Sequence, residues 1–426
     1  MKLVILNAIV CDPQSAMHGK KCDLLISSGI IDDIQPSAKK VFEKSPIKTW
    51  DVKGALLSPG WFDMRASLRE PGMEHKETLE SGARAAAAGG FTRVACLPDT
   101  KPAMQTKADI EFIYRKSEEL PVHLLPYGSI TKDREGTELN ELYDMHLAGA
   151  IAFTDANRSL MHAGVMLRAM QYAANFGGIL LSHAQDQNLA AGGRMNEGTM
   201  SVNLGLKGIP NIAEEVMVAR DIELAKYNNA PLHFSHISSK GSVEQIRKAR
   251  KQGLQITADV AVASLVFTDE NLNDFDSNFK VLPPLRGKAD QKALWDGIAD
   301  GIIDCIVSDH QPEDTEHKNV EFEYAAYGMI QLQTAYAMLN MFKPKQFDNG
   351  ILVKALASNP RKILNQPGVS ITKGACAEIT IFEPNATWQY SSANNLSKSA
   401  NSPVLNQTLT GKVLGIINKN QLIKTI

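Results

Sequence analysis

Five ionisable side chains close runs of apolar sequence in the middle of this chain. Asp155 ends "GAIAFTD", His183 falls near the end of "GILLSHA", His236 near the end of "PLHFSHI", and Asp309 with His310 closes "DCIVSDH". Two imidazoles and a carboxylate suffice to ligate a borderline-soft divalent ion such as zinc, with a fourth position left for water. Asp309, not needed as a ligand, would then serve as the general base that takes a proton from that water. One polar residue at a strand end needs no special explanation, but several converging on one rim form the pattern of a present or ancestral metal site. His233 precedes His236 by three residues and so points to the opposite face of the same run. His18, His75, His123, His146, His162 and His317 fall in turns, in helical stretches or early in a strand, and are set aside.

For these side chains to meet, their runs must be parallel strands that end together. Eight such runs follow one another: "SPGWFDM", "FTRVACLP", "VHLLPYGSI", "GAIAFTD", "GILLSHA", "PLHFSHI", "LQITADV" and "DCIVSDH". Amphipathic stretches such as "HKETLESGARAAAAGG" and "SVEQIRKARKQG" separate them, several closed by the glycine a helix C-terminus prefers. Strands that are apolar on both faces and alternate with helices imply a parallel sheet, and eight units imply a closed (β/α)8 barrel. The expected fold is therefore α/β, with a TIM-type barrel over residues 59–370. A small β-sandwich is expected from both termini, 1–58 and 371–426, where short β-type runs and turns dominate.

Composition limits the remaining classes. The 426 residues are 44% hydrophobic and 22% charged, ordinary for a globular chain with one large core and a smaller companion. A formal net charge of −2, with both signs interspersed, gives no single-sign field to attract nucleic acid or an anionic membrane. Five cysteines without C-x-x-C spacing argue for a reducing compartment, with cytoplasm the default, and against a disulfide framework. No apolar run approaches the length of a membrane span.

The motifs resemble those of the dihydroorotases, within the amidohydrolase superfamily. "SPGWFDMRASLREPG", "LPDT", "RMNEGTMSVNLGLKGIPNIAEEVMVARDIELA", "HFSHISSKGSVEQIRKA", "KVLPPLRGKADQ", "DCIVSDHQPED" and "NSPVLNQTLTGKVLG" follow in the family's order. The resemblance implies a zinc-dependent hydrolase of pyrimidine synthesis that interconverts carbamoyl aspartate and dihydroorotate. It assigns Asp155, His183 and His236 as metal ligands and Asp309 as the catalytic aspartate. It also exposes departures. The family's His-x-His pair on the first strand is replaced by Arg65 and Ser67. A guanidinium has no free lone pair and a neutral hydroxyl is a poor zinc ligand. At most one ion is expected on the remaining three ligands, and none if the site is degenerate.

The substrate positions implied by the resemblance change as well. Arg69, a carboxylate contact, is kept, but Asp99, Leu282 and Glu313 stand where the family has Asn, Asn and His, and Ala263 and Ser264 replace a histidine pair. Two added acids facing an anionic substrate at about 4 Å would repel it by about 4 kcal/mol at an effective dielectric near 20, roughly a thousandfold in affinity. Arg65 is expected to lie between Asp155 and Asp309 as a fixed cationic stand-in for metal. Three functions stay open: a non-catalytic homologue acting as a structural or regulatory partner, a single-metal cyclic amidohydrolase, and a small-molecule sensor. The resemblance suggests aspartate transcarbamoylase as a partner and a homodimeric state; no nucleic-acid or membrane partner is expected.

Overall fold

The computed structural model describes residues 1–36 and 48–425. Both ends of the chain build one eight-stranded sheet, in the order β17-β16-β15-β5-β1-β2-β3 with β4 paired to β1. Its strands are β1 (Lys2–Val10), β2 (Lys21–Ser27), β3 (Ile30–Gln35), β4 (Lys48–Asp51), β5 (Leu56–Pro59), β15 (Ile379–Tyr390), β16 (Gln407–Asn418) and β17 (Gln421–Lys424). The five N-terminal and three C-terminal strands of this sheet meet where β5 runs antiparallel to β15, Leu57 opposite Ile381. Alternate side chains of a strand share a face, so Leu3, Ile5, Leu24, Ile26, Leu57, Ile379 and Ile381 close a core of their own, apart from the barrel's. Two of the β-type runs extend past the described residues, at Ile47 and Ile426.

Gly60 carries the chain from this sheet into the barrel. A side chain there would collide with Thr92, so only glycine lets β5 continue into β6 at that close approach. The barrel strands are β6 (Trp61–Ala66), β7 (Phe91–Cys96), β8 (His123–Pro126), β9 (Leu180–Ser182), β12 (Leu232–Phe234), β13 (Ile256–Ala261) and β14 (Cys305–Val307). Between β9 and β12, β10 (Met195–Asn196) and β11 (Gly208–Ile209) form a separate short parallel pair. All barrel pairings are parallel.

The fourth strand is reduced to Phe153, which bridges Gly128 on one side and Leu180 on the other, and Ala66 bridges His310 to close the ring. The run "GAIAFTD" therefore occupies a strand position without the length for a ladder. Helices such as Leu79–Ala88 and Lys240–Lys251 cover the outside, each started by a hydroxyl that accepts a backbone N–H: Thr78 from Ser81, Ser239 from Ser242.

Glu378, just before β15, fastens the sheet to the barrel. Its buried carboxylate accepts from Arg93 Nε at 2.9 Å, from Thr92 Oγ1 at 2.7 Å, and from Arg361. Burial alone would raise this carboxyl, but the Arg361 and Arg93 guanidiniums outweigh it and hold it at about 2. No helix among the described residues is long and apolar enough to cross a membrane.

Candidate functional site

Residues two apart in a strand face the same way, so Asp63, Arg65 and Ser67 of the β6 run share a face. Asp63 accepts from the backbone N–H of Ser308 at 2.9 Å and fixes β6 to the end of β14. Arg65 is only 1% exposed. Its Nε donates to Asp309 Oδ1 at 2.8 Å and its Nη2 donates to Asn157 Oδ1. Asn157 Nδ2 donates to Gln311 Oε1 at 2.8 Å, and Gln311 Nε2 donates back to Asp309 Oδ1 at 2.9 Å. These four side chains close a ring of hydrogen bonds across the barrel mouth. Burial would raise the Asp309 carboxyl, but the Arg65 guanidinium, with the Gln311 hydrogen bond adding, holds it well below the usual carboxylate range.

Asp155 takes no part in that ring, which corrects the expectation that Arg65 lies between two aspartates. Its Oδ1 accepts from the backbone N–H groups of Ile130 and Thr131 at 2.9 and 3.0 Å, and its Oδ2 from Thr131 Oγ1 at 2.6 Å. A carboxylate satisfied in this way by the loop after β8 has no need of a guanidinium. Burial nevertheless raises its pKa, with the Thr131 and Ile130 bonds opposing.

His183 and His236 do come together: His183 Nδ1 and His236 Nε2 are 2.8 Å apart and share a hydrogen bond. Burial lowers the pKa of both, and Arg65 lowers them further, so both rings are neutral and one donates to the other. His236 Nδ1 is 3.6 Å from Asp309 Oδ2, too long for a hydrogen bond, and has no partner among the described residues.

These residues do not fit a zinc ion. Two imidazoles on a tetrahedral zinc would hold their nitrogens about 3.3 Å apart, given bonds of about 2.0–2.1 Å. Here they bond to each other, the third donor is turned into the β8 loop, and a guanidinium stands beside them. Among the described residues, no three His, Cys, Asp or Glu side chains gather to hold a metal ion.

The substrate positions form a second cluster. Arg69 Nη1 donates to Asp99 Oδ2 at 3.0 Å and Nη2 to Glu313 Oε1 at 2.8 Å. Lys76 Nζ reaches Glu313 Oε2 at 2.5 Å, and Ser67 Oγ donates to Asp99 Oδ2 at 2.6 Å. The two acids expected to repel an anion are thus paired with two cations, and the retained arginine is already occupied by carboxylates of its own chain. Leu282 stands apart from this cluster, packed on Ala190, Ile209 and Ala213. Arg69, Ala156, His236 and Asp309 all hold left-handed backbone, with φ of 63°, 57°, 42° and 48°. Such conformations cost about 1 kcal/mol or more each in non-glycine residues and persist where surrounding bonds over-determine them.

Among the remaining histidines, His233 is a fully buried structural residue between Asp259 and Thr257, each at 2.8 Å. His310 is likewise a brace: its Nε2 is 3.2 Å from Glu77 Oε2 and its Nδ1 accepts from the Gln331 N–H. Sequence reasoning missed Asn157, Gln311 and Lys76. The first two carry a faint signal, since each follows a strand-end aspartate by two residues, in "DAN" and "DHQ". Lys76 carries none.

Comparison with solved structures defines the fold class: L-hydantoinase (dihydropyrimidinase) from Arthrobacter aurescens superposes with a TM-score of 0.86 at 21% identity, covering 99% of this chain and 96% of the other. D-hydantoinase (dihydropyrimidinase) from Thermus sp. gives 0.81 at 18%, covering 99% and 95%. The fold is therefore a TIM-type barrel with a β-sandwich companion. A family model described as dihydro-orotase-like matches residues 54–242. Dihydroorotase from Syntrophus aciditrophicus is 41% identical over 425 residues, covering 99% of both chains, and that of Pelotomaculum thermopropionicum 41% over 418 residues, covering 96% of both. The chain belongs to the dihydroorotase family.

Proposed function

We propose that this dihydroorotase-family chain does not hydrolyse dihydroorotate and acts as a structural or regulatory partner of another enzyme of pyrimidine synthesis. The observation that carries the reading is Arg65, buried in the barrel mouth and bonded to the aspartate that would otherwise receive a proton from the attacking water. An aspartate held this far down by a guanidinium is a poor base. Arg69, clamped between Asp99 and Glu313, supports the same reading, because a substrate carboxylate would have to displace both. The test is dihydroorotate hydrolysis and its reverse, followed with purified protein and added zinc; the expected result is no turnover above buffer. Comigration with aspartate transcarbamoylase on gel filtration is the expected result for the partner role.

A second reading is an active dihydroorotase working with one metal on Asp155, His183 and His236. It is favoured by the relatives, which share the name dihydroorotase over essentially the full length of this chain. It requires Asp155 to leave Thr131 and the two imidazoles to part. Sustained turnover in the same assay would select it.

A further inference from the structure

A cavity of about 630 Å³ opens between the loops that follow the third and fourth strands, lined in part by Arg134, Arg158, Arg168, His162, Met161 and Val165. We propose that it binds a small phosphorylated anion. Three guanidiniums face one carboxylate of the lining, Glu135. Unlike Arg65 and Arg69, none of the three forms an ion pair among the described residues. Arg134 Nε is buried without a hydrogen-bond partner among the described residues.

The arrangement is built rather than casual. Asp155 fixes the β8 loop through Ile130 and Thr131, and Thr131 Oγ1 in turn accepts from the Gly136 N–H at 2.9 Å. That loop turns through left-handed backbone at Asp133 and Arg134, with φ of 49° and 57°. Arg158 Nη1 donates to the carbonyls of both residues, at 3.3 Å each, which locks one arginine against the backbone of the next. Arg168 folds back over the first turn of the helix Ala163–Ala174, its Nη1 3.6 Å from where a Cβ on Gly164 would lie. The partial positive charge of that helix end adds to the field of the arginines.

Guanidinium forks match the paired oxygens of phosphate, and the cavity falls within the range of small-ligand sites. Met161 and Val165 supply an apolar wall for the part of the ligand beyond the phosphoryl group. A dicarboxylate offers similar paired oxygens, so the experiment separates the two. None of the cavity's lining residues belongs to the Arg65 ring or the Arg69 cluster; Asp155, through Thr131, is the link between the cavity's loop and the barrel mouth.

Isothermal titration of the full chain at constant ionic strength, with phenyl phosphate, inorganic phosphate and succinate as probes, tests the assignment. Expected are saturable one-site binding of phenyl phosphate, weaker binding of succinate, and a loss of about tenfold or more in phenyl phosphate affinity in Arg168→Ala and in Arg158→Ala. Arg168 is exposed and its side chain makes no hydrogen bond among the described residues, so its variant keeps the test valid even if Arg158→Ala folds poorly. No saturable heat up to about 10 mM phenyl phosphate, an affinity unchanged in Arg168→Ala, or tighter binding of succinate than of phenyl phosphate would each overturn it.

Discussion

Arg65 puts into the barrel mouth a charge that the chain itself carries, where the family resemblance places two ligands for a bound ion. A guanidinium stays protonated at any accessible pH and presents its donors in a fixed fork, which suits it to hold Asp309 and Asn157 at once. Removing it leaves Asp309 buried without a counter-charge, with only the Gln311 amide still donating to it, so Arg65→Ala is predicted to lose about 3–5 kcal/mol in urea denaturation near neutral pH. Because the folded Asp309 titrates below its unfolded value of about 3.9, the pair stabilises the fold above that pH and the benefit fades as pH falls through the lower folded value. The gap between variant and parent should therefore narrow in acid, and Arg65→Ala with Asp309→Asn should recover part of the loss. Equal urea midpoints for Arg65→Ala and parent at pH 7 would refute the role. Restoring imidazoles through Arg65→His with Ser67→His is predicted to leave dihydroorotate turnover absent, since Arg69 stays clamped by Asp99 and Glu313; appreciable turnover in that variant would show that the clamp does not matter. The residue types at 65, 99 and 313 were legible as departures from the family's motifs, and Arg69 as a position kept. The contact of Arg65 with Asp309 was expected and is present; the remaining pairing was not legible, because partners such as Asn157 and Lys76 are supplied by loops whose paths depend on the folded barrel.

At the scale of elements, the strand runs were legible because they are apolar on both faces and end in ionisable residues. The fourth run shows where that reasoning stops: "GAIAFTD" has the pattern of a strand, but only Phe153 bridges its neighbours. The joint between sheet and barrel was also hidden, since Glu378 lies in a run read only as β-type sequence. Its partners Arg93 and Arg361 come from a barrel strand and from a helix near the end of the barrel. A shift of the Glu378 carboxyl from 4.5 to about 2 corresponds to about 3 kcal/mol. The contribution is present above the unfolded value near 4.3 and lost as pH falls through about 2. Glu378→Gln is accordingly predicted to lower stability by about 3 kcal/mol at pH 7 and by much less at pH 2, as read by denaturation at the two values. A pH-independent difference would mean that charge is not what holds the joint.

For the whole molecule, the consequence is a barrel whose framework stays close to its relatives while its mouth is knitted shut by its own side chains. Arg65 is bonded to Asp309, the two imidazoles to each other, Asp155 to the β8 loop, and Arg69 to two internal acids. Each of these side chains has at least one partner within the chain. Metal content tests this most directly. Protein purified without chelator, incubated with zinc and passed through gel filtration is predicted to retain well under one zinc per chain; one or two ions held stoichiometrically would contradict the account.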